Sequence, residues 1–547
     1  MTQQLIESPH TEQMVYEAKK PKLIIRMGAS LMRTMRREET YIVLGASVVS
    51  IVAFLFFYGQ GTTLGYKDMY SHLEIGRRVV VGQSTGFGQL GGIWLPLQHI
   101  LMIPLVWNNF LYLTGLAGSL LSMAAYVTSV VAVFKIVRLL TDSRLGGYTA
   151  ALVFGLNPGV LYLQSTALTE LLMYAALLLA VLGVLKWLKT DNYNFLMLAA
   201  FSTFALTLTR YEGWVMAIVL VAVVVYSCIR RGFPFAKGDQ KGQGLTLTFM
   251  SFALLGIVAW MVWNGLIFGD PMNWVKGEYS SSEQVSTQQL TQVGDLQASV
   301  MTYYYGMLGN MPVVLMIAAL AGLVVLFIRE KFSPESVLVM STIVIIPFFM
   351  YGLFTGQQPM RVAQIDGDLY NLRFGVFAVI PASIMIGYLV GQATFKLVRP
   401  VLAISAAVLV GAFFVVSFAD NGEQIITQQE ARSSINGMSE QAEVGDFLAD
   451  KTRGRILMES FNNERALFEV QPRVVYEGAK FWDSALIDPT GARNAIDVIV
   501  MRTEPGNTDK VYDDLYEAPV MYEYSQVLET DHYRVYEKKG QLFSDEG

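Results

Sequence analysis

A polytopic α-helical membrane protein with a C-terminal α/β domain is what these 547 residues predict. Hydrophobic residues make up 53% of the chain and charged residues only 16%, with a positive mean hydropathy. A soluble globular chain carries about a quarter charged residues. Apolar runs recur that are long enough to cross a bilayer, which takes roughly 20 residues of helix. Beyond residue 420 the composition changes: acids outnumber bases nearly two to one and the apolar runs shorten. The formal net charge of −5 therefore has meaning only when divided by region.

Residues 1–40 are polar and turn basic towards their end ("MRTMRREET"). They lack the short apolar core and small-residue cleavage site of a signal peptide. A cytoplasmic tail is expected, with an amphipathic piece around Leu23–Met35. Eleven spans follow, at about 41–58, 113–138, 145–163, 169–188, 193–209, 212–229, 245–268, 302–328, 337–354, 374–395 and 401–419. Basic residues in short loops set orientation. With the N-terminus inside, Lys135, Arg138 and Arg144 fall on the cytoplasmic side, as do Lys186, Lys189, Arg230, Arg231, Lys237 and Lys241. Arg329, Lys331, Lys396 and Arg399 continue the pattern, so every even-numbered junction is basic. The C-terminus is predicted outside.

This topology leaves four segments outside: loops at about 59–112, 269–300 and 355–373, and everything after 420. In the first loop "MYSHLEIGRRVVVG" has helical spacing, while "IWLPLQHILMIPLVW" is interrupted by Pro96 and Pro104 and is too short to span. Interfacial helices are expected in 59–112. No repeat of fixed period is present, against the inverted-repeat transporter folds. Residues 421–547 suit one small α/β domain. "GRILME" and "DVIVMR" read as buried strands, "ERALFEV" and "DKVYDDLY" as helices. "YEYSQVLE" and "HYRVYEKK", joined by Thr530-Asp531, read as a hairpin.

The lone Cys228 excludes an internal disulfide, and no Cys/His spacing suits a metal. No cofactor is predicted, and a divalent metal has no ligand cluster to hold it. The absence of an N-x-S/T sequon fits a prokaryotic source.

Ionisable groups gather on the outer side. "GYKDMYSHLEIGRR" places Asp68, His72, Glu74 and Arg77 just beyond the first span, and His99 lies further along that loop. Glu170 opens the fourth span, where the helix dipole alone would welcome a carboxylate. "TRYEGW" puts Arg210 and Glu212 at the tip of a tight hairpin, and "RVAQIDGDLYNLRFG" brings Arg361, Asp366, Asp368 and Arg373 to the tenth span. Each alone reads as a solvated loop charge, an interfacial pair or a snorkelling anchor. Together they describe a cavity at one membrane face, with acids able to act as bases and arginines able to hold a phosphate.

These stretches, with "GGIWLPLQHILMIP", "TALTELL" and "FGDPMNW", resemble the GT-C superfamily of membrane glycosyltransferases. The branch is that related to protein O-mannosyltransferases and bacterial lipid-linked-sugar transferases. The resemblance covers roughly residues 40–400, and the terminal domain is similar to the outer domain many such proteins carry. It implies that the first outer loop supplies an acidic catalytic base and that the loop around 269–300 closes over substrates. Asp68 is followed by Met69, where many relatives of the mannosyltransferase branch have a second acid. No WWD-like tripeptide of an oligosaccharyltransferase is present; "FWD" at Phe481–Asp483 reads as core packing.

Sugar transfer from a polyprenyl-phosphate donor needs a base for the acceptor hydroxyl, tolerance of an oxocarbenium-like state, and a cation for the leaving phosphate. Asp68 is expected as the base and Glu170 as a second catalytic acid. Arg373 is expected at the phosphate, with Arg210 and Arg361 behind it. His72, Glu74, Arg77, His99, Glu212 and Asp368 are expected to line the pocket. The expected partners are the lipid-linked donor, the bilayer and an extracytoplasmic acceptor, with no nucleic acid. A non-catalytic scaffold presenting the outer domain and a polytopic transporter are the rival readings.

Overall fold

The computed structural model describes residues 22–233, 235, 240–277, 280, 290–395, 397–491 and 495–540, with backbone alone for 22–36. The backbone is helical from Lys22 without interruption to Gly59, so the expected amphipathic piece runs directly into the first span. Among the described residues nine helices are long and apolar enough to cross a membrane: Arg37–Gly59, Leu116–Thr141, Glu170–Thr190, Glu212–Arg230, Lys241–Phe268, Val313–Glu330, Pro334–Phe354, Leu372–Gln392 and Val398–Gly437. The other two expected spans are a shorter apolar helix, Tyr193–Thr207, and a broken one. Arg144–Gly155 and Pro158–Gln164 meet at Asn157, whose side chain caps the second piece by accepting from Val160 N at 3.1 Å. Pro158 sits at the first helical position, where its missing N–H removes nothing.

One expected span moves. The run read as 302–328 is two helices, Leu296–Asn310 and Val313–Glu330, separated at an extended Met311 (φ −155°, ψ 128°). Pro312 is the cause: its ring disfavours helical backbone at the residue before it, and it has no N–H to donate. The crossing helix starts at Val313.

Glu170–Thr190 and Leu372–Gln392 are the most enclosed spans, with 83% and 94% of their apolar windows buried. Small residues let the latter approach its neighbours. A Cβ on Gly146 would lie 2.6 Å from Gly387 O, and one on Gly322 would lie 2.1 Å from Met385 O. Such contacts hold helices together where lipid removes the hydrophobic drive. At one end of the bundle Glu39 pairs with Lys135 (2.9 Å), and Glu38 with Arg144 (2.7 Å) and Arg138 (3.7 Å). The opposite end carries the first loop, whose helices are Lys67–Arg78, Leu97–Val106 and Asn109–Leu113.

After Phe418 the chain turns through Asp420 and Asn421, both at positive φ, into a helix, Ile426–Gly437. The C-terminal sheet has the order β2-β1-β3-β5-β4, with β1 Ile456–Leu457, β2 Val474–Val475, β3 Val498–Arg502, β4 Tyr524–Glu529 and β5 Tyr533–Lys538. β1 runs parallel to β2 and β3; β5 lies antiparallel to both β3 and β4. Val498 and Val500 pack on one side with Val444 and Leu448, and Ile499 and Met501 on the other with Trp482 and Val511. This alternation buries both faces of β3. Trp482 of the "FWD" stretch is core, as expected. Phe468 fastens the domain to the first loop, stacking on Tyr112 (4.3 Å) and meeting Tyr70 edge-on (4.9 Å).

Candidate active site

Four separate turns at the loop-bearing end present charged side chains to one another. Asp68 lies in the first turn of Lys67–Arg78, and Glu170 and Glu212 each open a span. All three carboxylates thus sit where the helix dipole favours them. Arg210 occupies the short turn before Glu212. Arg373 lies in a 3₁₀ turn, Leu372–Ala378, entered through Asn371 in the left-handed region (φ 54°, ψ 32°), a conformation Asn tolerates better than most residues.

The side chains form a continuous ladder of alternating sign: Asp68, Arg373, Glu170, Arg210, Glu212. Arg373 donates through Nη2 to Asp68, and its Nε lies 3.4 Å from Glu170 Oε1. Arg210 Nη1 donates to the same Glu170 oxygen and to Thr169 Oγ1, each at 3.0 Å. Arg210 grips Glu212 twice, through Nη2 at 2.7 Å and Nε at 3.2 Å. Glu170 is 0% exposed and Glu212 1%, whereas the Asp68 side chain is 36% exposed. Buried charges persist only when paired and hydrogen-bonded, and here each buried acid has an arginine.

The two arginines are not equivalent. Arg210 is bound on every side by Glu212, Glu170 and Thr169, with Phe374 and Phe377 each 5.6 Å from its guanidinium carbon. Arg373 is the more buried of the two, its side chain 7% exposed against 15% for Arg210. It lies under Tyr66 (5.2 Å) and Phe374 (5.6 Å), and its one short bond goes to the most exposed acid of the ladder. Its Nε makes no hydrogen bond, and neither does Glu170 Oε2. Arg210 thus joins the two buried acids, and Arg373 links Glu170 to the exposed Asp68.

His72 and His99 lie beside the ladder, ring nitrogen to ring nitrogen at 2.8 Å. Burial, then His99, Arg373 and Arg210, holds His72 well below the usual imidazole range. Burial alone takes His99 down to about 3. Burial thus works against a charge on either ring.

The chain is similar along nearly its whole length to ArnT from Cupriavidus metallidurans bound to undecaprenyl phosphate. The TM-score is 0.56 at 11% identity, covering 91% of this chain and 97% of that one. The apo state of the same protein gives 0.50 at 12% identity, over 89% and 97%. The chain has the GT-C fold. An Archaeoglobus fulgidus oligosaccharyltransferase tethered with an acceptor peptide gives 0.44 at 9% identity, covering 85% of this chain and 69% of that one. No protein-family model and no curated protein matches the sequence.

On this GT-C scaffold the residues expected at the site divide. The ladder unites Asp68, Glu170, Arg210, Glu212 and Arg373, with His72 and His99 adjoining. Glu74 instead pairs with Arg78, and burial pushes its carboxyl up to about 7. Arg77 donates to Val106 O (2.9 Å) and Asn109 Oδ1 (2.6 Å) and lies over Tyr112, 4.2 Å from its ring centre. Both tie the first loop together. Arg361 pairs with exposed Asp368 at 3.5 Å, and Asp366 accepts from Gln292 at 3.0 Å. These groups order the 355–373 loop rather than join the ladder. Among the described residues no three His, Cys, Asp or Glu converge as metal ligands.

Sequence reasoning missed two supporting residues. Glu430, on Ile426–Gly437, accepts from the backbone N of Asn371 and from that of Leu372 (2.9 Å), fixing the turn that holds Arg373. Tyr66 covers Arg373, and its hydroxyl donates to Thr427 O at 2.8 Å and lies 3.0 Å from Glu430 Oε2. Glu430 sits in "ITQQEARSSING", polar enough to read as solvated.

Proposed function

We propose that this chain is an integral membrane glycosyltransferase that moves a sugar from a polyprenyl-phosphate donor to an extracytoplasmic acceptor, with inversion. The observation that carries the reading is the Asp68–Arg373 pair, in which a buried arginine meets the most exposed acid of the ladder. A base and a phosphate-holding cation are held there side by side, at the mouth of a membrane helix bundle. The solved ArnT with undecaprenyl phosphate supports a lipid-linked donor on this fold.

The donor's prenyl tail stays among the spans while its phosphate meets Arg373. The ladder has three acids and two arginines, so an arriving phosphate competes with Asp68 for the guanidinium. Asp68, the most exposed acid, is the one that yields. A carboxylate released from an arginine accepts a proton more readily than one held by it, so donor binding readies the base. The acceptor hydroxyl oxygen then bonds to the anomeric carbon from the face opposite the phosphate. Its proton passes to Asp68, the carbon–oxygen bond to phosphate breaks, and the bonding pair leaves with the prenyl phosphate. Arg373 stabilises that charge in a site largely shut from water. Glu170 holds both arginines in register. The alternating basic junctions support an orientation with this site and residues 421–547 outside the membrane and the N-terminus in the cytoplasm.

Purified protein, a panel of polyprenyl-phosphate hexoses and pentoses, and a cell-envelope extract as acceptor provide the test. Wild type should transfer at least one sugar. Asp68→Asn should lower turnover by roughly 10²–10⁴ while donor binding changes far less. Undiminished turnover in folded Asp68→Asn protein removes Asp68 from the mechanism, and failure of wild type across the panel sinks the reading.

A further inference from the structure

His72 follows Asp68 by one helical turn, so the two side chains share a face of Lys67–Arg78. That face carries the pair with Arg373. The His72 ring is 5% exposed and lies against Trp94, with ring centres 4.4 Å apart. Its Nδ1 stands 2.8 Å from His99 Nε2. The helix bearing His99 is pinned between two ladder turns. Leu97 N donates to Leu208 O (3.0 Å), just before Arg210, and Gln98 donates to Ala167 O, just before Glu170.

In a bond between two neutral imidazoles one nitrogen donates and the other accepts. His99 decides which. Its second nitrogen, Nδ1, is buried without a partner. A hydrogen there would be an orphaned buried donor, which is rarer in folded proteins than an under-used acceptor. His99 therefore carries its hydrogen on Nε2 and donates it to His72 Nδ1. His72 must then carry its own hydrogen on Nε2, since among the described residues its ring bonds through Nδ1.

We propose that His72 Nε2–H is a neutral hydrogen-bond donor to an oxygen of the donor lipid's phosphate, and that His99 is the positioning residue that fixes its tautomer. The inference rests on the glycosyltransferase reading above and adds a second phosphate contact to it. A prenyl phosphate offers more acceptor oxygens than Arg373 alone can meet. An uncharged N–H supplies direction without placing another cation beside Arg373 and Arg210. The buried pair keeps that donor fixed over the pH range in which an exposed histidine would titrate.

Binding of farnesyl phosphate to purified full-length protein in detergent tests both roles, with farnesol, which lacks the phosphate, as control. A hydrogen bond to a charged group contributes about 1.5–3 kcal/mol, so His72→Phe should weaken farnesyl phosphate binding roughly 10-fold or more. Farnesol binding should be unmoved. His99→Gln keeps an N–H for His72 Nδ1 and should bind close to wild type; His99→Leu leaves the tautomer free and should weaken binding several-fold. If His72→Phe does not purify, the His99 pair decides alone. Unchanged affinity in His72→Phe, or equal affinity in His99→Gln and His99→Leu, overturns the inference and leaves the glycosyltransferase reading intact. Wild type that binds farnesyl phosphate no better than farnesol overturns that reading itself.

Discussion

Arg373 is the proposed phosphate cation, and its surroundings distinguish it from a membrane anchor. A snorkelling arginine sends its head group into water. This one is buried beneath Tyr66 and Phe374 and bonds to Asp68. An ammonium has no planar fork, so Arg373→Lys cannot face Glu170 and hold a phosphate at once. Donor affinity and turnover should both fall, each by roughly 10-fold or more, because hydrogen bonds to charged groups contribute about 1.5–3 kcal/mol. Arg373→Ala should fall further. The measurement is transfer and binding of a synthetic prenyl-phosphate sugar, and wild-type values for Arg373→Lys in both would reduce Arg373 to an anchor. The charges at this site were legible in the sequence because a nearly charge-free bundle makes each outer-face charge conspicuous. Their pairing was not. Arg361 and Arg373 stand in one stretch with two aspartates, and linear spacing in an irregular segment does not say which arginine turns inward.

Helices were legible where apolar length alone defines them and misplaced where a single residue interrupts a long apolar run. Pro312 moved the start of one span to Val313, and Asn157-Pro158 broke another. Proline's effect on its predecessor is local, whereas hydropathy averages over a window wide enough to hide it. The helix Ile426–Gly437 was hidden for a different reason. Its role depends on a turn at Asp420 and Asn421, both at positive φ, that sends it back beneath the site. There Glu430 serves the Asn371 and Leu372 amides and the Tyr66 hydroxyl. Glu430→Ala would leave the two buried amides of Asn371 and Leu372 unpaired, at about 1–3 kcal/mol each. The thermal midpoint of that variant in detergent should drop by roughly 2–5 °C. Glu430→Gln keeps an acceptor oxygen and should lose less. Equal midpoints for wild type and Glu430→Ala would show that the turn under Arg373 stands without this brace.

The C-terminal domain and the membrane bundle meet through the first loop, and that arrangement ties the site to one side of the bilayer. Phe468 sits between Tyr70 and Tyr112, and Arg78 lies over Tyr476 at 3.8 Å. Gln471 donates to Val81 O at 3.2 Å, and Ser84 Oγ accepts from Lys480 N at 3.0 Å. Asp68 opens the helix that makes the first of these contacts, so the sheet domain and the proposed base share a side. The basic residues gather at the far end, where Lys135, Arg138 and Arg144 pair with Glu38 and Glu39. Short-loop lysines and arginines face the cytoplasm, so the sheet domain should face outward. Asn507 is exposed on that domain, and Cys228 is buried and the one cysteine of the chain. In a background with Cys228→Ser, Asn507→Cys should react with a membrane-impermeant thiol reagent on intact cells as fully as after lysis. Cys228→Ser alone should stay unlabelled. Protection of the Asn507→Cys thiol until lysis would place the sheet domain, and Asp68 with it, in the cytoplasm, where an extracytoplasmic acceptor could not reach the base.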